Sequence, residues 1–339
     1  FVREIYTQRL VTYQGWNWLS SYLQEPIAIE EFTDLSNHIV SQLDEIIKDP
    51  LFGFVGGISS LEGGVAYKVQ SSMAFARVLE GHLYDASSNP ITLQTGWNWI
   101  GYPYHEERPL SAIQNPAEGD YITSQEGFAE FANGYWQGSI SSFAPGAGYL
   151  YKSVDNKQLT YDFTPHAMPA YLPKKQMAAT DNGQEDLNIR QYPNTMNVTA
   201  KLYNANHEMT DGLYTIYAMC GNECRGIGFA VGDYYYITIY GDELVDISFV
   251  IENQMSGETY VANEMLQFNG DVVGSRNNPY IIDVAAKAPT GIENTESGIQ
   301  PLTIYTILGV LLNENASLTD LQTLPQGLYI VGGQKYYVK

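Results

Sequence analysis

Hydrophobic and polar positions along this chain alternate in short runs, with glycine and asparagine between them. Met196, Val198 and Ala200 alternate with polar neighbours, as do Leu213, Thr215 and Tyr217; the apolar-rich runs 234–240 and 247–251 follow. A period of two gives a β-strand one apolar face. Turn pairs at Asp211-Gly212, Gly221-Asn222, Gly232-Asp233, Gly241-Asp242 and Ser256-Gly257 recur about every ten to fifteen residues. That spacing predicts an antiparallel, Ig-like β-sandwich over residues 191–287. One window departs from it. Leu35, Ile39, Leu43 and Ile46 recur at helical spacing behind Asp34, a candidate N-cap, and predict a short helix.

The pattern also repeats at long range. Gly15-Trp16-Asn17-Trp18 returns as Gly96-Trp97-Asn98-Trp99, an offset of 81. Ile39-Val40-Ser41-Gln42 is answered by Ile122-Thr123-Ser124-Gln125, offset 83. Ile58-Ser59-Ser60 and Gly64-Val65-Ala66-Tyr67 are answered 82 residues on, by Ile140-Ser141-Ser142 and Gly146-Ala147-Gly148-Tyr149. A register held with single-residue shifts marks an internal duplication. The expected organisation is therefore a first repeat domain over 1–87 and a second over 88–165. A linker at 166–190, the sandwich, a second linker at 288–300 and a C-terminal β segment at 301–339 follow. The fold class is mainly β, with a short helix in each repeat. The last segment, of about 40 residues, is too small to bury a good core alone and is expected to pack on the sandwich or dock to a carrier.

Composition narrows the function classes. The formal charge is −21, from 38 acidic and 17 basic residues. Such a surface repels phosphate backbones and anionic lipid, so nucleic acid is not an expected partner. No run of 18 apolar residues is long enough to cross a bilayer. Phe1 opens directly into strand-like sequence, as in a piece of a longer protein. The 27 tyrosines and 31 glycines suit β-structure with tight turns.

Chemistry is sparse. Cys220 and Cys224 flank the turn residues Gly-Asn-Glu and form a candidate disulfide, with two thiols or half of a metal site as alternatives. No calcium loop, zinc set, nucleophile elbow or phosphate loop is present, so no metal, cofactor or catalytic residue is assigned. His105-Glu106-Glu107-Arg108 reads as a solvated loop. Asp242 with Glu243, and Glu252 with Glu258, read as ordinary turn acids, like Asp211 and Glu223. Arg225 is expected to brace its turn through Glu223 or Asp246, or to bind ligand. Tyr234, Tyr235 and Tyr236 are candidate ligand-stacking residues, because consecutive tyrosines on a strand cannot all face one core.

Three stretches resemble modules of secreted Bacteroidetes proteins. Leu324, Pro325, Gly327, Tyr329, Ile330 and Val331, with Lys339 at the end, look like the short form of a type IX secretion C-terminal sorting domain. Gly221–Gly226 and Gly274-Ser275 resemble a β-sandwich of large surface proteins, and the Gly-Trp-Asn-Trp units, with Pro145–Tyr149, look like repeats found beside it. The resemblance implies an extracellular or outer-membrane-attached location and contact with secretion or anchoring machinery. It carries no catalytic residues.

The expected function is non-enzymatic: an adhesion or ligand-binding module for a glycan or a host or matrix protein. The alternative is a structural spacer and secretion anchor of a larger secreted protease or glycosidase. The tryptophans bear on the choice, since Trp16 with Trp18, and Trp97 with Trp99, each share a strand face, either in a core or as a surface platform. A surface patch can drift between copies, whereas a core anchor keeps register with its strands. Burying one such pair removes roughly 400 Å² from water, at most on the order of 8–10 kcal/mol. Trp16→Ala is therefore expected to unfold its unit, seen as loss of the cooperative thermal transition by circular dichroism; a folded variant that lost only ligand binding would contradict the core reading.

Overall fold

In the computed structural model, both Gly-Trp-Asn-Trp stretches are strands entered through a left-handed glycine, Gly15 at φ 93° and Gly96 at φ 99°. The structure describes residues 4–162, 187–210, 213–284, 302–306, 311–316, 323–331 and 334–338. Residues 166–186 of the first expected linker, the whole of 288–300, the Asp211-Gly212 turn and Lys339 lie outside the described residues. The chain divides into two compact units, Phe1–Asn182 with Asn188–Thr195, and Gly183–Leu187 with Met196–Lys339.

In the first unit, the duplication appears as two sets of nine strands. The first set is β1 (Tyr6–Thr12), β2 (Gly15–Ser20), β3 (Ile27–Ala28), β4 (Ser36–Val40), β5 (Glu45–Asp49), β6 (Gly53–Gly56), β7 (Ser60–Leu61), β8 (Ala66–Ser71) and β9 (Phe75–Gly81). The second is β10 (Ile91–Leu93), β11 (Gly96–Gly101), β12 (Arg108–Pro109), β13 (Tyr121–Thr123), β14 (Phe128–Ala132), β15 (Tyr135–Gly138), β16 (Ser142–Phe143), β17 (Gly148–Ser153) and β18 (Lys157–Leu159). The sheets match strand for strand. A five-stranded sheet runs β2-β8-β4-β5-β6 in one copy and β11-β17-β13-β14-β15 in the other; β1 pairs with β9 as β10 does with β18, and β3 pairs with β7 as β12 does with β16.

Each five-stranded sheet turns one face to its own core. Leu19, Ile39, Ile46, Tyr67 and Val69 bury against Leu10, Phe32 and Leu61 in the first copy. Ile100, Ile122, Ala129, Tyr149 and Tyr151 bury against Leu93, Leu110 and Phe143 in the second. Asn17 and Asn98 are buried on that same face. Asn17 accepts from the Tyr13 amide (2.8 Å) and donates to the Tyr13, Gly15 and Val69 carbonyls. Asn98 repeats the set with Gln94, Gly96 and Tyr151. One carboxamide thus closes the turn into the strand and ties it to the next.

The helix expected over Leu35–Ile46 is corrected to a hairpin. Ile39 and Ile46 are directly opposed on β4 and β5, with Ser41–Asp44 as the turn and Leu43 almost fully exposed at its tip. A short antiparallel hairpin puts i beside i+7 and so imitates helical spacing. Among the described residues, helix is limited to α1 (Glu30–Thr33), which buries Phe32, and a 3₁₀ turn at Leu110–Ala112 in the second copy. Asp34 follows α1 as its C-cap and pairs with Arg77.

The second unit holds one curled sheet of ten strands: β19 (Asn194–Asn204), β20 (His207–Glu208), β21 (Tyr214–Cys220), β22 (Glu223–Val231), β23 (Tyr234–Gly241), β24 (Asp246–Asn253), β25 (Thr259–Val261), β26 (Leu266–Gln267), β27 (Val272–Val273) and β28 (Tyr280–Val284). Its long path is β20-β19-β23-β22-β21-β24-β25. Met196, Val198, Ile216, Ile237, Ile239, Phe249 and Ile251 fill the core. The C-terminal strands β29 (Leu302–Thr306), β30 (Leu311–Ala316), β31 (Gly327–Val331) and β32 (Gln334–Val338) add a four-stranded sheet. Ile304, Tyr329 and Val331 form its small core, and the Tyr329 hydroxyl donates to the Pro325 carbonyl at 2.8 Å. The side chain of Asn222, in a sandwich turn, lies against Gly327.

Asn98→Ala would strand an amide and three carbonyls at one buried point. The expected loss is on the order of 2–3 kcal/mol in urea unfolding, with little change in m-value.

Candidate functional site

The tryptophans stand on the opposite face of each sheet from its core. Trp16 and Trp18 are buried, but in the join between the two repeats; Trp97 and Trp99 are half-buried. The core reading therefore changes: the signature anchors one repeat to the other.

The join is reciprocal. Gln125 of the second repeat accepts from the Trp18 amide (3.2 Å) and donates to the Trp16 carbonyl (2.7 Å). Gln42 of the first accepts from the Trp99 amide (2.7 Å) and donates to the Trp97 carbonyl (2.9 Å). Each glutamine thus acts as a small piece of strand against the other copy's edge. The Ser20 amide donates to the Gly146 carbonyl, and the Gly101 amide to the Gly64 carbonyl, both at 2.9 Å. A Cβ at Gly101 would press on the Gly64–Val65 backbone, so this approach requires glycine.

Two features break the symmetry. Residues 190–194 cover the first signature: the Arg190 carbonyl accepts from the Trp16 amide, the Pro193 carbonyl from the Trp18 indole, and the Arg190 guanidinium donates to Asn17 and Gln125. The second is Lys68, aligned by repeat register with Leu150. Its Nζ lies 4.4 Å from the Trp18 ring centre and 4.5 Å from that of Trp99, and it donates to Asn194 at 2.8 Å. Burial pulls its ammonium down to about 7. Indole faces attract a cation and act against that shift.

A groove of about 320 Å³ opens beside the join. Exposed Arg9 and Glu126 stand at its edge with half-buried Arg190; Asn17 and Gln125 line it, over a floor of Trp18 and Gly146–Gly148. Asn17, Gln125 and the Trp18 indole are already bonded within the protein, so the groups this edge turns to a polar ligand are the exposed Arg9 guanidinium and Glu126 carboxylate, beside the half-buried Arg190.

The residues singled out in the sandwich lie elsewhere. Tyr235 and Tyr236 are buried, one in the core and one on the reverse face, on β23, an inner strand between β19 and β22. Tyr234 is half-buried, with the Arg276 guanidinium 4.1 Å and the Lys201 ammonium 5.2 Å from its ring centre. The expected outward tyrosine platform is thus corrected to one clamped ring. Arg225 occupies a β-bulge, is buried, and pairs with Glu223 at 2.7 Å.

Cys220 and Cys224 are free thiols, which corrects the disulfide expectation. Cys224 opposes Met219 in the ladder, so the two sulfurs point to opposite faces of the hairpin. Burial pushes Cys224 up to about 11.

The His105 ring lies tilted against that of Tyr6, centroids 4.9 Å apart, and Arg108 pairs with Glu106. Asp242 and Glu243 are exposed; Glu252 and Glu258 accept from Tyr217 and Tyr260. Among the described residues, no three His, Cys, Asp or Glu converge on a metal position, and no helix is long and apolar enough to cross a membrane. Compared with family models, curated proteins and solved structures, the chain finds no match.

Gln42 and Gln125 sat inside the matched repeat motifs, which was the available signal for the join. Lys68 showed only as a mismatch between copies.

Lys68 makes stability pH-dependent with a defined sign. An unfolded lysine keeps its proton to about 10.4. Below pH 7 both states are charged and folding bears the whole desolvation cost; between there and pH 10 the folded state sheds its proton and stability rises. Relative to Lys68→Met, the wild type should gain on the order of 3 kcal/mol from pH 6 to pH 10 in denaturant titrations.

Proposed function

We propose that this chain is a non-enzymatic ligand-binding module of a secreted or cell-surface β-protein, and that the groove beside the repeat join holds a glycan or protein ligand. The observation that carries this reading is the placing of exposed Arg9 and Glu126, with half-buried Arg190, around about 320 Å³ of open space. That volume is at the lower end for small-molecule sites. A guanidinium donor beside a carboxylate acceptor suits the hydroxyls and carboxylates of sugars and the main chain of peptides. The tail supports the location: its Leu-Pro-Gln-Gly-Leu-Tyr-Ile-Val run resembles a type IX sorting signal, for which export and outer-membrane attachment follow.

A second reading is a spacer carrying an upstream secreted enzyme. Burial of Trp16 and Trp18 favours it, because these rings are committed to rigidity.

Glycan arrays and pull-downs from matrix extracts separate the two. A binding module retains a defined ligand, and Arg9→Ala weakens it about tenfold or more, the worth of one charge-assisted hydrogen bond, at an unchanged melting temperature. No retained ligand, or one indifferent to Arg9→Ala, removes the groove from consideration and leaves the spacer.

A further inference from the structure

The second repeat contains a buried ion pair that the first lacks. Asp120, immediately before β13, is fully buried, and Lys157, the first residue of β18, has a side chain only 9% exposed. Lys157 Nζ lies 2.6 Å from Asp120 Oδ2. The same oxygen accepts from the Tyr151 hydroxyl (2.6 Å) and the Ala117 amide (2.8 Å), while Oδ1 accepts from the Val154 amide (3.0 Å). Lys157 Nζ also lies 2.8 Å from Asp155, whose carboxylate is 58% exposed. By strand register the first repeat has Ser36, Val69 and Phe75 at the positions of Asp120, Tyr151 and Lys157.

A charged pair this dry bears a large desolvation cost, and a neutral product of the same atoms would not. Contact between an amine and a carboxyl, held by packing, also removes the entropic barrier to joining them. We propose that Lys157 and Asp120 condense to an intramolecular isopeptide bond.

Asp155 takes one proton from the ammonium and exposes the Nζ lone pair. Nζ attacks Cγ of Asp120, and the Val154 amide holds Oδ1 as it takes up negative charge. Oδ2 receives the proton held by Asp155 and a second from Nζ, with Tyr151 as hydrogen-bond donor beside it. The Nζ–Cγ bond forms, the Cγ–Oδ2 bond breaks, and one water leaves. Of the three ammonium protons, one stays on the amide nitrogen and two depart in the water; no other reactant enters. Burial pulls the Lys157 ammonium down, but Asp120 and Asp155 outweigh it and hold the pKa above its ordinary value. The amine fraction is therefore small, which a reaction occurring once per molecule tolerates. The product ties the β10–β18 pair to the five-stranded sheet of the same repeat, independently of any ligand at the groove.

The test is the intact mass of the full chain in denaturant. A mass lower than the sequence mass by one water, with a branched peptide joining Asp120 to Lys157 in tandem spectra, is the expected result. Lys157→Arg keeps a cation but not the amine and should restore the full mass. A wild-type chain at full sequence mass overturns the proposal, as does a water loss that persists in Lys157→Arg. Because the mass is read in denaturant, neither outcome depends on the variant folding.

Discussion

Two buried carboxamides carry the architecture of the first unit. Asn17 and Asn98 each satisfy an amide and three carbonyls where the chain turns into a signature strand. Their side chains occupy the core face, so both neighbouring tryptophans must occupy the other. The join builds on that choice of face: the glutamines reach the backbone of the other copy's signature strand, and Lys68 of the first repeat is enclosed between its own Trp18 and Trp99 of the second. A buried polar group that is fully satisfied specifies one arrangement, because any shift in register leaves several groups unpaired.

Local alternation and exact repetition were legible in the sequence. Met196, Val198 and Ala200 do line the sandwich core, and the repeated signatures do occupy equivalent strands. What failed was whatever depended on distant partners. Ile39 and Ile46 carry a spacing common to a helix and a short hairpin, and only the sheet beside them decides between the two. Tyr235 and Tyr236 lie on opposite faces, as strand geometry requires, yet a curled sheet covers both. Burial of Trp16 and Trp18 was legible, but their place at the join was not, since Gln125 reaches the Trp16 carbonyl across 109 residues of chain. The groove brings Arg9 to Gln125 and Arg190, a grouping that no local motif encodes.

The copies share a frame but not their chemistry. The first places a lysine between indoles where the second has Leu150, and the second buries an acid, a base and a phenol where the first has Ser36, Phe75 and Val69. Arg190 and its neighbours cover only one of the two signatures. The groove beside that covered signature is therefore a product of asymmetry imposed on a duplicated frame, and its charges come from three separated parts of the chain.

The reciprocal join also sets an order of events in the making of the molecule. The residues that cover Trp16 and Trp18, Gln125 and 190–194, are made long after the first repeat's own strands. A chain ending short of Gln125 and Arg190 would lack the partners of the Trp16 and Trp18 backbone and leave two indoles without that cover. The acidic surface that keeps such intermediates apart then matters most while the chain is half made, before the tryptophans have met their partners.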